Sequence, residues 1–164
     1  MVSWGELREM APDLEEAGRA RFYQFGVGLA FLATVRPDGG PRLHPVCPVI
    51  DGDGLYALLI PSPKRDDLHR DRRYALHSFP ADDNEDAFSI TGSAAAVSDR
   101  SAWDSVATRF LQEREWTEPP DHFDTQELFA FDIETCLLTT TTGHGDPHPK
   151  HTVWRAATEI ADAR

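Results

Sequence analysis

The chain has 164 residues, a length that fits one domain and can bury a hydrophobic core without disulfides. It carries 28 Asp and Glu against 16 Lys and Arg, and its formal net charge is therefore −12. This charge argues against general nucleic-acid binding and against a polybasic membrane anchor, because both need a basic surface. Among the basic residues only Lys64 and Lys150 are lysines.

Cysteine usage and the N-terminus indicate a cytoplasmic protein. Cys47 and Cys136 are too few for the disulfide framework of a small secreted domain. We expect two reduced thiols buried in strands. The first residues lack the cationic start and apolar run of a signal peptide. The longest apolar stretch, residues 27–35, is shorter than the ~20 residues that span a bilayer.

Residues 1–24 form an N-terminal segment with a helical pattern. Ser3 and Glu6 have the spacing of a capping box, which predicts a short helix after Ser3. Pro12 then stands at the first position of a second helix, which is expected to continue to about Gln24.

Residues 25–156 have the pattern of a β-rich domain. Apolar runs bounded by Gly, Pro and Asp turns predict strands at 27–35, 42–50, 55–60, 74–79, 88–97, 128–141 and 152–155. Pro45 and Pro48 cannot donate ladder hydrogen bonds, so the second strand is expected to be bulged or interrupted. Gly92, with Ala94–Ala96, indicates that the backbone closely approaches some other part of the structure.

Two helices are predicted between these strands. A short one follows Lys64, and a longer one runs from about Arg100 to Glu115 with Asp99 as its cap. Strands in meander order with two helices predict an antiparallel barrel with the helices packed outside. The acidic tail, residues 157–164, has helical propensity.

A phosphate site is the first functional hypothesis. Ser62, Lys64 and Arg65 place a hydroxyl and two cations at the end of a strand and the start of a helix. Phosphate binds to charge-assisted donors and to helix N-terminal N–H groups. The alternative is an exposed polar loop, because no glycine-rich cradle accompanies these residues.

A second candidate lies on the strand at 42–50. Alternation places Arg42 and His44 on one face, where a cation and an imidazole can hold a phosphate or polarise a carbonyl. The alternative is two solvated side chains.

His144, His148 and His151, with Asp146 between them, have ligand types suited to a metal. The Gly- and Pro-rich run around them favours a polar loop instead, so no metal site is assigned. Cys47 and Cys136 have no neighbours that would activate a thiolate. No acid–base pair stands out, and the catalytic residues are left unassigned.

The order of motifs resembles the pyridoxamine 5'-phosphate oxidase-like family of FMN-binding split β-barrels. The residues that match the family pattern are Ala33-Thr34-Val35, Asp38-Gly39, Pro41, Pro45-Val46, Ser62, Lys64, Leu68, Arg70-Asp71, Arg73, Ala75-Leu76, Ile90–Ala94 and Val153–Arg155. The resemblance covers residues 12–156. It implies a mainly β fold, an antiparallel Greek-key split β-barrel with flanking helices, in a homodimer with FMN in clefts at the interface.

By this resemblance, Ser62 and Lys64, with Arg65 nearby, bind the cofactor phosphate. The second strand borders the flavin ring with Arg42, His44, Pro45 and Val46. The resemblance further implies an oxidoreductase that transfers hydride to or from a small substrate.

Two departures argue against vitamin oxidation. The family's Arg-Gln pair is replaced by Asp86 and Ala87, and its C-terminal substrate-binding arginine pattern is absent. A deazaflavin coenzyme is the alternative cofactor, with which the cationic Arg70, Arg72 and Arg73 are compatible. A non-catalytic flavin- or heme-binding protein is the third hypothesis, and the histidine-rich loop is the feature that favours heme.

Overall fold

The structure is a computed structural model that describes residues 1–157. The predicted tail lies, from residue 158 onwards, outside the described residues. No helix in the described part is long and apolar enough to cross a membrane. The helices are α1 (Trp4–Met10), α2 (Pro12–Phe22), α3 (Pro63–Arg70), α4 (Arg100–Glu113) and a short 3-10 helix (Phe123–Thr125).

The strands form one antiparallel sheet. They are β1 (Ala30–Val35), β2 (Pro41–Val46), β3 (Pro48–Asp51), β4 (Gly54–Leu59), β5 (Arg73–Ser78), β6 (Ala87–Ala96), β7 (Glu127–Thr140) and β8 (Lys150–Arg155). Their order is β2-β1-β5-β6-β7-β4-β3, with β8 paired to β7 beside this path. Because β1 pairs with β5 and β4 with β7, the order is the Greek key that the resemblance implies and not a plain meander.

The predicted strand at 42–50 is two strands at opposite ends of the sheet order. β2 pairs with β1 and β3 pairs with β4, and Cys47 alone separates them. Two residues span about 7 Å at most, so the sheet has to curl until its two ends adjoin. The predicted interruption of this strand therefore lies at Cys47, between Val46 at the end of β2 and Pro48 at the start of β3.

The N-terminal helices close one side of the barrel. Ser3 and Glu6 make the complete capping box that their spacing predicts, and α2 begins at Pro12 but ends at Phe22. Trp4, Phe22 and Phe88 pack with ring centroids 5.4–6.3 Å apart. These fully buried rings anchor α1 and α2 to the sheet.

The predicted close approach at Gly92 is confirmed. A Cβ built on Gly92 would lie 1.9 Å from the backbone oxygen of Asp132 on β7. The pairing register shifts between Thr91 and Gly92, where β7 has one extra residue, Glu134, and is therefore bulged.

α4 covers a second, smaller apolar core. Asp99 caps the helix through the backbone N–H of Ser101, as predicted. Val106 and Ala107 of α4 pack against the β-strands in this core, whose buried members are Val49, Leu58, Val106, Ala107, Phe123 and Leu128.

Candidate functional site

The predicted phosphate residues lie where the chain leaves β4 and enters α3. Ser62 is extended and precedes the helix, and its hydroxyl donates to the backbone oxygen of Ile60 at 2.8 Å instead of capping α3. Lys64 is half-buried, and burial lowers the pKa of its amine. In residues 1–157 no carboxylate or carbonyl raises that pKa in return. A partly desolvated ammonium group without an acceptor favours an anionic partner.

Arg65 is a second cation without a full set of partners. Its Nε is buried and donates no hydrogen bond within the described part of the chain. The nearest carboxylate oxygen, Oε2 of Glu127, lies 3.5 Å from this Nε. Lys64 and Arg65 are adjacent in the first turn of α3, where the helix dipole also favours an anion. Lys64 and Arg65 therefore place two cations at adjacent positions at the start of α3, where Arg65 also has a long ion pair with Glu127.

Arg42 is joined to α3 by a buried carboxylate. Asp67, which is 2% exposed, accepts hydrogen bonds from Arg42 Nε at 2.7 Å and from Thr34 Oγ1 at 2.9 Å. Arg70 adds a longer contact of 3.3 Å. Burial disfavours the ionised form, but these contacts outweigh it and hold the pKa of Asp67 below its ordinary value. The structure thus connects the two predicted stretches through Asp67.

Asp67 was not found from the sequence. It is one of 28 acidic residues, and no local pattern separates it from those that face solvent. Helical periodicity offers one signal that Asp67 is buried: it lies next to Leu68 on the inner side of α3.

The predicted ring-bordering residues lie on both faces of β2. Arg42, His44 and Val46 pair with the buried Thr34, Leu32 and Ala30 and share their face of the sheet. Pro45 points to the other face. Val46 is part of the main core, whereas His44 and Pro45 are exposed. Since β2 is an end strand of the sheet order, both of its faces are open along residues 43–45.

The chain has a cavity away from these residues. It has a volume of about 500 Å³ and lies between α4 and the segment 119–124. None of the predicted cofactor-binding residues lines it.

The cysteines and the histidine-rich loop are the remaining groups that the sequence singles out. Both cysteines are free, Cys136 fully buried and Cys47 half-buried. Burial raises the pKa of the Cys136 thiol to about 12. In residues 1–157 no group of three or more His, Cys, Asp or Glu side chains is arranged to hold a metal ion. His144 and His151 instead face Asp82 O and Thr139 Oγ1.

The class of this protein is an antiparallel split β-barrel, with Lys64 and Arg65 where a strand is followed by a helix. The family model described as pyridoxamine 5'-phosphate oxidase matches residues 21–139. The chain therefore belongs to the pyridoxamine 5'-phosphate oxidase family of split barrels.

Solved structures share the fold at low sequence identity. A Listeria innocua protein provisionally assigned as a pyridoxamine 5'-phosphate oxidase is 18% identical with a TM-score of 0.61, over 76% of this chain and 97% of that one. An F420 reductase is 20% identical with a TM-score of 0.55, over 66% and 87% of the two chains. The heme storage protein HutZ from Vibrio cholerae is 16% identical with a TM-score of 0.54, over 76% and 89%. No curated protein sequence matches the chain significantly.

Asp86 and Ala87, which the resemblance aligns with the family's Arg-Gln pair, lie at the start of β6. Asp86 forms a 2.5 Å salt bridge with Arg21 and accepts the backbone N–H of Thr141 at 2.6 Å. Ala87 begins β6. A carboxylate tied to α2 and to the end of β7 cannot supply the positive charge of the arginine it replaces.

Proposed function

We propose that this protein binds FMN and is a flavin-dependent oxidoreductase that transfers hydride to or from a small substrate. The observation that carries the proposal is the pair Lys64 and Arg65, two partly buried cations without hydrogen-bonded acceptors in residues 1–157. A phosphate monoester offers three oxygens that accept from such donors. The donor set therefore fits the phosphate end of a flavin mononucleotide.

The chain's own residues bind and orient the cofactor in this proposal. Lys64 and Arg65 hold the phosphate, and Ser62 borders it at the start of α3. Asp67 keeps Arg42 against α3, so the strand that borders the ring and the helix that binds the phosphate stay in fixed relation. His44, Pro45 and Val46 complete the border. The hydride chemistry is supplied by the flavin when bound, which agrees with the lack of an evident acid–base pair.

The proposed site is completed by a second copy of the chain. β2 is an end strand of the sheet order, and its Leu43 is 62% exposed. An open end strand presents backbone groups that a strand of another chain can pair with. We therefore propose a cytoplasmic homodimer with a flavin in each of two interface clefts. Sedimentation equilibrium tests this arrangement, and a monomer at micromolar concentration contradicts it.

Flavin binding is tested with a matched pair of lysine variants. FMN is titrated into the purified protein and its fluorescence is followed. Lys64→Ala is expected to raise the dissociation constant roughly tenfold or more, because one charge-assisted phosphate contact is worth about 1.5–3 kcal/mol. Lys150→Ala, which removes the exposed lysine of β8, is the control and is expected to bind like the wild type. Equal affinity of the Lys64 variant and the control would contradict the site.

A deazaflavin coenzyme is the second candidate, supported by the similarity in fold to an F420 reductase. Two of the arginines that favoured it are engaged within the chain. Arg70 donates to Val35 O and lies beside Asp67, and Arg73 pairs with Asp71 at 2.7 Å. Titration with both coenzymes decides between them, and tighter binding of the deazaflavin would overturn the FMN assignment.

Non-catalytic heme binding is the third candidate, supported by the similarity in fold to HutZ. Addition of hemin followed by absorbance spectroscopy tests it. A Soret band that is lost when His144, His148 and His151 are replaced together would favour heme over flavin.

A further inference from the structure

One carboxylate lies between two side chains of α3. Oε2 of Glu127, the first residue of β7, is 2.9 Å from Nε2 of His69. The same oxygen is 3.5 Å from Nε of Arg65. A carboxylate only accepts hydrogen bonds, so Nε2 of His69 carries the proton and donates to Glu127. Glu127 thus makes a hydrogen bond to His69, while its contact with Arg65 is a longer ion pair.

His69 is held in place from a second direction. Its ring meets the ring of Phe129 edge to face, with centroids 5.3 Å apart. Glu127 and Phe129 are two residues apart on β7 and share one face of the strand. The imidazole therefore contacts both side chains. The packing against Phe129 fixes the position of Nε2, which donates to the carboxylate of Glu127.

The consequence falls on Arg65. Its Nε is buried and donates no hydrogen bond within residues 1–157, although a carboxylate is near. Without the contact to His69, the distance between Glu127 Oε2 and Arg65 Nε is free to shorten from 3.5 Å to that of a normal hydrogen bond, about 2.9 Å. A hydrogen bond at that distance would occupy the Nε donor of Arg65 and strengthen the existing ion pair at the expense of a ligand.

We propose that His69 is a positioning residue that limits Glu127 to a long ion pair with Arg65 and so keeps hydrogen-bond donors of Arg65 for an anionic ligand. The proposal rests on the proposed function, because the anion is taken to be the phosphate of FMN. In this arrangement Lys64 provides one cation of the site, and the contact between His69 and Glu127 keeps donors of Arg65 for the ligand.

The test is a double-mutant cycle on FMN affinity, measured by fluorescence titration of the full chain. His69→Ala is expected to raise the dissociation constant about three- to tenfold, the range of a partly buried ion pair. Glu127→Gln alone is expected to bind FMN as tightly as the wild type or more tightly. The double variant is expected to match Glu127→Gln, since the competing carboxylate is gone.

Two further variants separate positioning from general damage to the fold. His69→Gln retains an N–H donor at a similar reach and is expected to restore wild-type affinity. In an Arg65→Ala background, His69→Ala is expected to have no further effect. Thermal unfolding of each variant establishes that it is folded.

The outcomes separate this inference from the proposed function. If Lys64→Ala weakens FMN binding but the effects of His69→Ala and Glu127→Gln simply add, the positioning role is wrong and the site stands. If Lys64→Ala leaves FMN binding unchanged, the proposed function fails. The cycle is then run with inorganic phosphate as the ligand, and additive effects or no phosphate binding overturn the positioning role as well.

Discussion

The buried carboxylate Asp67 is expected to stabilise the fold more than any exposed ion pair of the chain. Asp67→Asn keeps the shape of the side chain and removes its charge. Arg42, whose side chain is 24% exposed, then loses the ionised acceptor 2.7 Å from its Nε. Thr34 Oγ1, in a residue that is 3% exposed, loses a charged acceptor as well.

The magnitude follows from these contacts. Breaking a buried pair by removing one partner costs about 3–5 kcal/mol, and the partial exposure of Arg42 reduces this figure. We expect a loss of about 2–4 kcal/mol in the free energy of unfolding. For a chain of this length that corresponds to a fall of about 5–15 °C in Tm.

The assay is urea denaturation followed by circular dichroism, with Asp38→Asn as the control. Asp38 pairs with Arg36 at 2.7 Å, but the two side chains are 63% and 44% exposed. The control is expected to lose less than about 1 kcal/mol. If Asp67→Asn is no more destabilising than Asp38→Asn, the reasoning about the buried network is refuted.

The difference between wild type and Asp67→Asn also depends on pH. The pKa of Asp67 is lowered in the folded state, so its stabilisation is fully present above the unfolded value of about 3.9. It is lost as the pH falls through the lower folded pKa. The stability difference is therefore expected to be constant from about pH 5 to 8 and to shrink below about pH 4. A difference that grows on acidification would contradict the assignment.

Three further changes test the fold. Gly92→Ala places a Cβ 1.9 Å from Asp132 O, so we expect a loss of about 3 kcal/mol or more in urea denaturation; a loss below about 1 kcal/mol would mean that the two strands separate easily. Ser3→Ala removes the capping box of α1, and the expected loss is about 1 kcal/mol by the same measurement; an unchanged stability would mean that α1 needs no cap. A thiol reagent at pH 8 is expected to modify the half-buried Cys47 but not Cys136, whose thiol pKa is about 12; rapid reaction of both thiols in the native state would contradict the burial.

Local patterns in the sequence predicted most elements and some of their starts, whereas several ends differ by two or three residues. Ser3 and Pro12 marked two helix starts, because caps and first-turn prolines act within one turn. The hairpin turns at 37–40 and 51–54 were predicted for the same reason. The cationic pair at the start of α3 was also found locally, because Lys64 and Arg65 are adjacent. Their role in binding a cofactor stays a prediction.

Long-range contacts were beyond such patterns. Arg42 and Asp67 are 25 residues apart, and His69 and Glu127 are 58 apart. Nothing in either local stretch specifies which distant side chain it will meet. The short 3-10 helix at Phe123–Thr125 was also not predicted, because it begins after a left-handed His122 in a proline-rich loop.

Residue patterns were enough to predict an acidic chain of strands and helices, and to find Lys64 and Arg65 at the junction of a strand and a helix. The periods of apolar residues and the chemistry of caps and turns are local, so they can be found without coordinates. Coordinates were needed to show that β2 and β3, which Cys47 separates, lie at opposite ends of the sheet order. Coordinates were also needed to show that Asp67 binds Arg42 and that Glu127 accepts a hydrogen bond from His69. These choices depend on which elements the curled sheet brings together, and that is settled by the burial of the whole core.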